Sequence, residues 1–94
     1  MTLQTKETKE LFAAILSIDT AAECGKFFDD ICTVKELQDL SQRFQVAKLL
    51  KAGKSYQEIS KETGASTATI SRVNRALVYG SGGYKSVLKK LEEK

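Results

Sequence analysis

The stretch SYQEISKETGASTATISRVNRAL, residues 55–77, predicts two short helices separated by a tight turn. Ser55 and Glu58 match the capping-box pattern S-x-x-E, so we expect the first helix to begin there. Ser60 is small, which allows a second helix to approach closely. Gly64 follows at the turn, where a residue without a Cβ adopts a positive φ at little cost.

The second helix of this stretch is predicted from a cap and an apolar stripe. Ser66 or Thr67 can cap its first turn, and Ile70, Val73 and Leu77 lie three and four residues apart on one face. A small residue at the crossing, a glycine near the turn and this inner apolar face together predict a helix-turn-helix. The alternative is an ordinary helical hairpin with a solvated polar face.

The outer face of the second helix carries small, hydroxylated and guanidinium side chains and no acidic residue. Such a face suits the major groove of DNA, which a helix can enter to reach base edges. We therefore predict DNA contacts from this face and from one residue of the first helix. The candidate DNA-binding residues are Gln57, Ser66, Thr67, Ala68, Ser71, Arg72 and Arg75.

The charge of the chain is uneven, although its net value is only +3. Residues 1–53 contain seven Lys or Arg and eight Asp or Glu, whereas residues 54–94 contain eight and four. The positive potential therefore belongs to the half that contains the helix-turn-helix, which favours contact with phosphates. A chance imbalance on a solvated surface is the alternative interpretation.

The length and composition of the chain favour one small domain over residues 1–94. These 94 residues lie near the lower range for a self-sufficient core, so we expect a second copy to add stability. Proline is absent, which favours helices throughout. There is no apolar run of membrane-spanning length and no signal-peptide pattern, so we expect a cytoplasmic protein without a membrane partner.

The residue types present do not support catalysis or metal binding. The chain has no histidine, so neither a Ser-His nor a Cys-His pair can form, and we predict no catalytic residue and no enzyme activity. Cys24 and Cys32 are eight residues apart, which matches no metal or redox pair of the C-x-x-C kind. We predict that both are buried small hydrophobic residues and that no metal is bound.

Apolar residues at helical spacing predict an all-α fold with about six helices. Two helices over about residues 5–17 and 21–31 precede a long helix over about residues 34–52. The long helix has an apolar arc that is too wide for a single neighbour. A last helix over about residues 84–91 carries an apolar stripe, which we expect to dock on the N-terminal helices or on another subunit.

Residues 33–91 resemble the trp repressor family, in particular the trp-repressor-related proteins of the YerC/YecD type. The resemblance rests on Leu40 with Arg43, on LLKAGKSYQEISKETGASTATISR at residues 49–72, and most specifically on GASTATISR at residues 64–72. It implies an intertwined homodimer with a helix-turn-helix on each side. Residues 1–53 and 84–94 would then form the dimer core, and residues 55–77 would read the DNA.

The same resemblance implies an effector pocket. Two arginines of the family embrace the co-repressor tryptophan, and Arg43 and Arg72 stand at those places, with Thr33 at the pocket edge. Two other positions depart from the family pattern. Val73 replaces a glycine against which the indole lies, and Ala76 replaces a serine that helps to hold the amino group. We therefore predict that no tryptophan cofactor is bound, while the arginine pair could still hold another carboxylate or a phosphate.

These observations predict a sequence-specific DNA-binding transcriptional regulator, expected to be a repressor, which acts as a homodimer on double-stranded DNA. The alternative is a helical dimer that serves as a protein-interaction module without specific DNA binding. The salt dependence of DNA binding discriminates between them, because neutralising phosphates releases counterions.

Overall fold

The computed structural model describes residues 4–93. Six helices follow one another within this range, and none of the described residues forms a strand. The predicted all-α fold with six helices is therefore confirmed. The predicted helices lie within about one residue of their observed bounds, except that α5 continues to Tyr79, two residues beyond the end of the predicted stretch. The helices are α1 Lys6–Leu16, α2 Ala21–Ile31, α3 Val34–Lys51, α4 Tyr56–Thr63, α5 Thr67–Tyr79 and α6 Gly83–Glu92.

The chain divides into two compact units, Met1–Gln38 and Asp39–Lys94. The first unit contains α1, α2 and the start of α3, and the second contains the rest of α3 with α4, α5 and α6. Among the described residues, no helix is both long enough and apolar enough to cross a membrane.

Side-chain caps begin the helices of the first unit. Thr20 Oγ1 accepts a hydrogen bond from the Glu23 N–H at 3.1 Å. At α3, the Thr33 N–H donates to Glu36 Oε1 at 2.8 Å, and Thr33 Oγ1 accepts from the Glu36 N–H at 3.1 Å. These bonds satisfy first-turn amides that have no partner within the helix.

The first unit buries little of its apolar surface. Neither α1 nor α2 contains a buried residue, and Phe12, Leu16 and Ile31 are exposed. Cys24 and Cys32 are free thiols that are only partly buried. The prediction that both cysteines are buried is therefore wrong for the single chain, in which neither α1 nor α2 contains a buried residue.

The second unit contains a continuous core built from all four of its helices. Leu88 of α6 is only 5% exposed within this core. Part of the apolar stripe of the last helix packs with the helix-turn-helix, because α6 folds back on α5 and buries Leu88. Val87 and Leu91 of the same stripe are each 48% exposed, so docking of the stripe on another subunit stays a prediction. The buried residues are Val46, Ala47, Ile59, Ala65, Ile70, Val73, Leu77 and Leu88.

The end of α3 sets the direction of the chain into the helix-turn-helix. Gly53 has a φ of +86°, and its N–H donates to the Leu50 carbonyl oxygen at 3.0 Å. The Lys54 N–H donates to the Leu49 carbonyl oxygen at 3.0 Å. This pair of bonds is a Schellman motif, which needs a left-handed residue that glycine adopts without strain. The helix therefore ends at a fixed point just before α4 begins.

Candidate nucleic-acid interface

The first helix of the motif, α4, begins with the predicted capping box. The Ser55 N–H donates to Glu58 Oε1 at 3.0 Å, and Ser55 Oγ accepts from the Glu58 N–H at 3.2 Å. The backbone hydrogen bond from Ser55 is the main cause that lowers the pKa of the Glu58 carboxyl. The side-chain hydrogen bond with Ser55 and the positive charge of Lys54 lower the pKa further.

The turn between α4 and α5 is fixed by Gly64 and Thr63. Gly64 has a φ of +74°, as predicted, and its N–H donates to the Ser60 carbonyl oxygen at 2.8 Å. Thr63 Oγ1 donates to the Ile59 carbonyl oxygen at 2.7 Å and accepts from the Ala65 N–H at 3.1 Å. This threonine therefore ties both sides of the turn together and fixes the angle between the two helices.

A contact from α3 supports the same turn. Gln42 Nε2 donates to the Thr63 carbonyl oxygen at 3.1 Å, which satisfies an acceptor at the end of α4. Ala65 is buried in the core beside this turn. Gln42, Thr63 and Ala65 were not identified from the sequence, although small and hydroxylated residues around a predicted turn were the available signal.

The second helix of the motif, α5, begins at Ser66, which resolves the alternative between Ser66 and Thr67. Ser66 Oγ accepts from the Thr69 N–H at 3.1 Å, and Thr67 is the first residue of the helix. The cap uses the Thr69 amide, while the amides of Thr67 and Ala68 have no acceptor within α5. The start of α5 therefore presents free N–H groups together with the positive end of the helix dipole.

The predicted inner and outer faces of α5 are both present. Ile70, Val73 and Leu77 are buried in the core, and the helical period places one stripe of the helix opposite them. This stripe consists of Ala68, Arg72, Arg75 and Tyr79, all of which are exposed. Thr67 and Ser71 are also exposed on α5, as are the cap Ser66 and, on α4, Gln57.

Tyr79 was not identified from the sequence, although it extends the outer stripe at the spacing i, i+4, i+7, i+11 from Ala68. It is 83% exposed. The same helical period that predicted the inner face was sufficient to find it.

The cations of the helix-turn-helix lack acidic partners among the described residues. Lys61, Arg72 and Arg75 make no ion pair within this part of the chain, whereas Lys54 lies 3.9 Å from Glu58 and Lys51 lies 3.2 Å from Glu92. Helix α5 contains no acidic residue. The outer face therefore keeps a positive potential that is not neutralised by its own surroundings.

The effector candidates of the second unit differ in how far they are buried. Val73 is 1% exposed and belongs to the core, whereas Arg72 and Ala76 are exposed. Arg43 of α3 is partly buried. In the first unit, Thr33 is exposed and caps α3. The space beside the α5 backbone at residue 73 is thus filled by a valine that is packed into the core.

The chain matches proteins of one family along almost its full length. The model of the Trp repressor protein family matches residues 6–92. The uncharacterized YerC protein of Bacillus subtilis is 50% identical over 91 residues, which cover 97% of this chain and 88% of that protein.

Solved structures agree in sequence and in fold. A TrpR-like protein from Eubacterium eligens superposes with a TM-score of 0.93 and 51% identity, over 96% of this chain and 93% of that one. A proposed Trp repressor from Staphylococcus aureus superposes with a TM-score of 0.91 and is 49% identical in sequence, over 97% of this chain and 91% of that one. The chain therefore belongs to the Trp repressor family, whose fold is regulatory and not enzymatic.

Proposed function

We propose that this protein is a sequence-specific DNA-binding transcriptional regulator, acting as a repressor through its helix-turn-helix. The observation that carries the proposal is the outer stripe of α5. Arg72 and Arg75 are exposed there without an acidic partner among the described residues, while the opposite face fixes the helix to the core. Membership of a family of repressors supports the same function.

The N-terminal part of α5 is suited to reach base edges in the major groove. Thr67, Ala68 and Ser71 are exposed there. Hydroxyl groups can bond to donors or acceptors of several bases, and an alanine methyl can contact the methyl group of thymine. Arg75 lies two turns further along the helix and is better placed for phosphates, which position the protein without specifying sequence.

We further propose that two copies bind together as a homodimer. The first unit leaves Phe12, Leu16 and Ile31 exposed and buries no residue of α1 or α2. Apolar surface of this kind is stabilised when another layer covers it. Residues 1–53 and 84–94 would form the dimer core. The two motifs would then bind half-sites one helical turn apart on the same face of the DNA duplex, and the protein would act in the cytoplasm.

Binding of DNA is proposed not to require tryptophan. Val73 packs into the core and helps to hold α5 in place without a ligand. A different anionic effector that binds Arg43 or Arg72 is compatible with this arrangement, since a guanidinium forms two parallel hydrogen bonds with carboxylates and phosphates.

Selection of duplexes from a random library by the purified protein tests the proposal, followed by affinity measurements over a range of salt concentrations. A DNA-binding regulator should enrich a two-fold symmetric sequence, and its affinity should fall steeply with salt. A protein-interaction module, which is the alternative function, would enrich no sequence. A flat salt dependence together with unselected DNA would contradict the proposed function.

A further inference from the structure

A side-chain hydrogen bond joins α3 to the end of α4 across 21 positions of the chain, where Gln42 Nε2 donates to the Thr63 carbonyl oxygen at 3.1 Å. This carbonyl belongs to the last turn of α4, whose acceptors have no donor within the helix. The side-chain hydrogen bonds of Ser55, Thr63 and Ser66 all join residues within four positions. Those bonds shape the motif itself, whereas Gln42 attaches the motif to a helix outside it.

Gln42 occupies an inward position of α3. Val46 follows it by four residues and Leu50 by eight, so the three residues lie on one face of the helix. Val46 is completely buried and Leu50 packs against the core, while Gln42 is partly buried. An amide therefore stands where this stripe would otherwise continue with an apolar residue. Burying part of an amide is costly unless it is hydrogen-bonded, and the Thr63 carbonyl supplies the acceptor.

The bond holds α4 at the end opposite its covalent link with α3. At the first end, the chain leaves α3 through the turn at Gly53 and enters α4 at the Ser55 cap. At the second end, Gln42 holds the Thr63 carbonyl. Apolar packing is not directional, and packed helices can slide by small steps, whereas a hydrogen bond weakens steeply outside a narrow range of distance and angle. The bond therefore restricts the rotation of α4, and of α5 beyond the turn, about the link at Gly53.

We propose that Gln42 is a positioning residue for DNA recognition, which sets the orientation of the helix-turn-helix on α3 and thereby the half-site spacing that the protein accepts. The inference rests on the proposed DNA-binding function and on the proposed homodimer. Since α3 would belong to the dimer core, the two copies of this bond would fix the distance between the two α5 helices. Gln42 lies on neither helix of the motif, so it acts through the Thr63 carbonyl and not on the bases.

The substitution Gln42→Glu tests this role, because an ionised carboxylate has nearly the shape of the amide but can only accept hydrogen bonds. Gln45→Glu is its matched control. Both glutamines line one groove between α3 and the end of α4, but Gln45 is exposed and has no part in the bond, so its variant adds the same charge and keeps the bond. Affinities are measured for the duplex that the wild-type protein selects and for the same duplex with a base pair inserted between its half-sites.

The lengthened duplex moves the half-sites apart, so the wild-type protein has to break the Gln42–Thr63 bond to contact both of them. Leaving this acceptor without a donor should lower the affinity by about ten-fold. Gln42→Glu lacks the bond from the start, so its ratio of affinities for the selected and the lengthened duplex should be about ten-fold smaller than that of the wild type. Gln45→Glu should keep the wild-type ratio, and the preferred bases within each half-site should not change in either variant.

A spectroscopic signature separates this role from a general loss of stability. The NMR resonance of the Thr63 carbonyl carbon reports its hydrogen bond, and it should shift in Gln42→Glu but not in Gln45→Glu. Gln42→Lys places a donor on this side chain again and should restore both the carbonyl resonance and the affinity ratio, in which the effect of its added charge cancels. Equal losses of affinity for both duplexes in Gln42→Glu, with an unchanged ratio, would overturn the inference.

The outcomes separate this inference from the function on which it rests. Wild-type protein that selects no duplex contradicts the proposed function and this inference together. Selection of a single half-site contradicts the proposed dimer and, with it, a role of Gln42 in spacing. Selection of paired half-sites, with a spacing that Gln42→Glu and the wild type discriminate equally, preserves the DNA-binding function and shows that Gln42 does not position the motif.

Discussion

Ser55 and Glu58 exchange two hydrogen bonds across the first turn of α4: the Ser55 N–H donates to Glu58 Oε1, and the Glu58 N–H donates to Ser55 Oγ. This pair fixes where the first helix of the motif begins. It also holds the Glu58 carboxylate at the N-terminal end of α4, where Oε2 lies 3.9 Å from Lys54 Nζ. One local motif therefore affects both the start of α4 and the ionisation of Glu58.

The capping box should make stability depend on pH. The hydrogen bonds with Ser55 lower the pKa of Glu58, so the folded chain favours the ionised carboxylate. This contribution is complete above the ordinary pKa of glutamate and is lost as the pH falls through the lowered, folded-state pKa. Thermal unfolding followed by circular dichroism should show that Glu58→Gln, which keeps an acceptor but cannot titrate, loses less stability in that acidic window than the wild type.

Ser55→Ala serves as the companion variant. It removes the acceptor for the Glu58 N–H and should destabilise the protein by about 1 kcal/mol at neutral pH. Identical acid profiles for the wild type and Glu58→Gln would show that the capping box does not contribute to the pH dependence of stability.

Local rules were sufficient to predict most of the helix-turn-helix. Ser55, Gly64 and Ser66 act on residues within four positions of themselves, so their patterns are visible in the sequence. The periodicity of Ile70, Val73 and Leu77 likewise determines which face of α5 is buried.

Features that depend on contacts between distant residues could not be predicted in this way. The Gln42–Thr63 hydrogen bond joins residues 21 positions apart, and it forms only because α3 packs beside the end of α4. The docking of Leu88 on α5 depends on the path of the chain after Tyr79. A stripe of apolar residues shows that a partner exists but does not identify it.

The exposed apolar side chains of α1 should mediate dimerisation. Sedimentation of the wild type at micromolar concentration should give twice the chain mass. Leu16 is 83% exposed in the single chain, and Leu16→Gln places a polar group at the proposed interface in both copies. The dimer should weaken by about 3 kcal/mol or more, which is roughly a hundred-fold in its dissociation constant.

Glu7→Gln is the control for Leu16→Gln, because residue 7 lies on the opposite side of α1. It should sediment like the wild type. A wild-type protein that remains monomeric at these concentrations would contradict the proposed dimer.

Substitutions on the outer face of α5 should affect DNA binding in two different ways, by changing either the overall affinity or the preference among sequences. Arg75→Ala should weaken binding to all duplexes and reduce the salt slope, because it removes an exposed cation that we propose to contact phosphates. Thr67→Ala or Ser71→Ala should instead change the preference among duplexes, by about 1–3 kcal/mol for each base-edge hydrogen bond that the substitution removes. Competition binding with selected and scrambled duplexes measures both effects. If all three variants bind like the wild type, α5 is not the helix that reads the DNA.

Tryptophan should neither bind tightly nor be needed for DNA binding. An indole requires a flat open space beside α5, but Val73 fills that position with a β-branched side chain packed into the core. Ala76 offers no hydroxyl to the ammonium group of the ligand, and each of these two differences is worth on the order of 1–3 kcal/mol. Calorimetry should therefore detect no micromolar site in the wild type.

The double variant Val73→Gly with Ala76→Ser should create or strengthen tryptophan binding, because it restores both the space and the hydroxyl. The glycine removes a core side chain that is only 1% exposed and adds about 1 kcal/mol of helix destabilisation, so circular dichroism must first show that the variant is folded. Ala76→Ser alone is the control, since it restores the hydroxyl but leaves the valine in place. A micromolar dissociation constant for the wild type, or wild-type DNA binding that depends on tryptophan, would show that the core can move Val73 aside to admit the ligand.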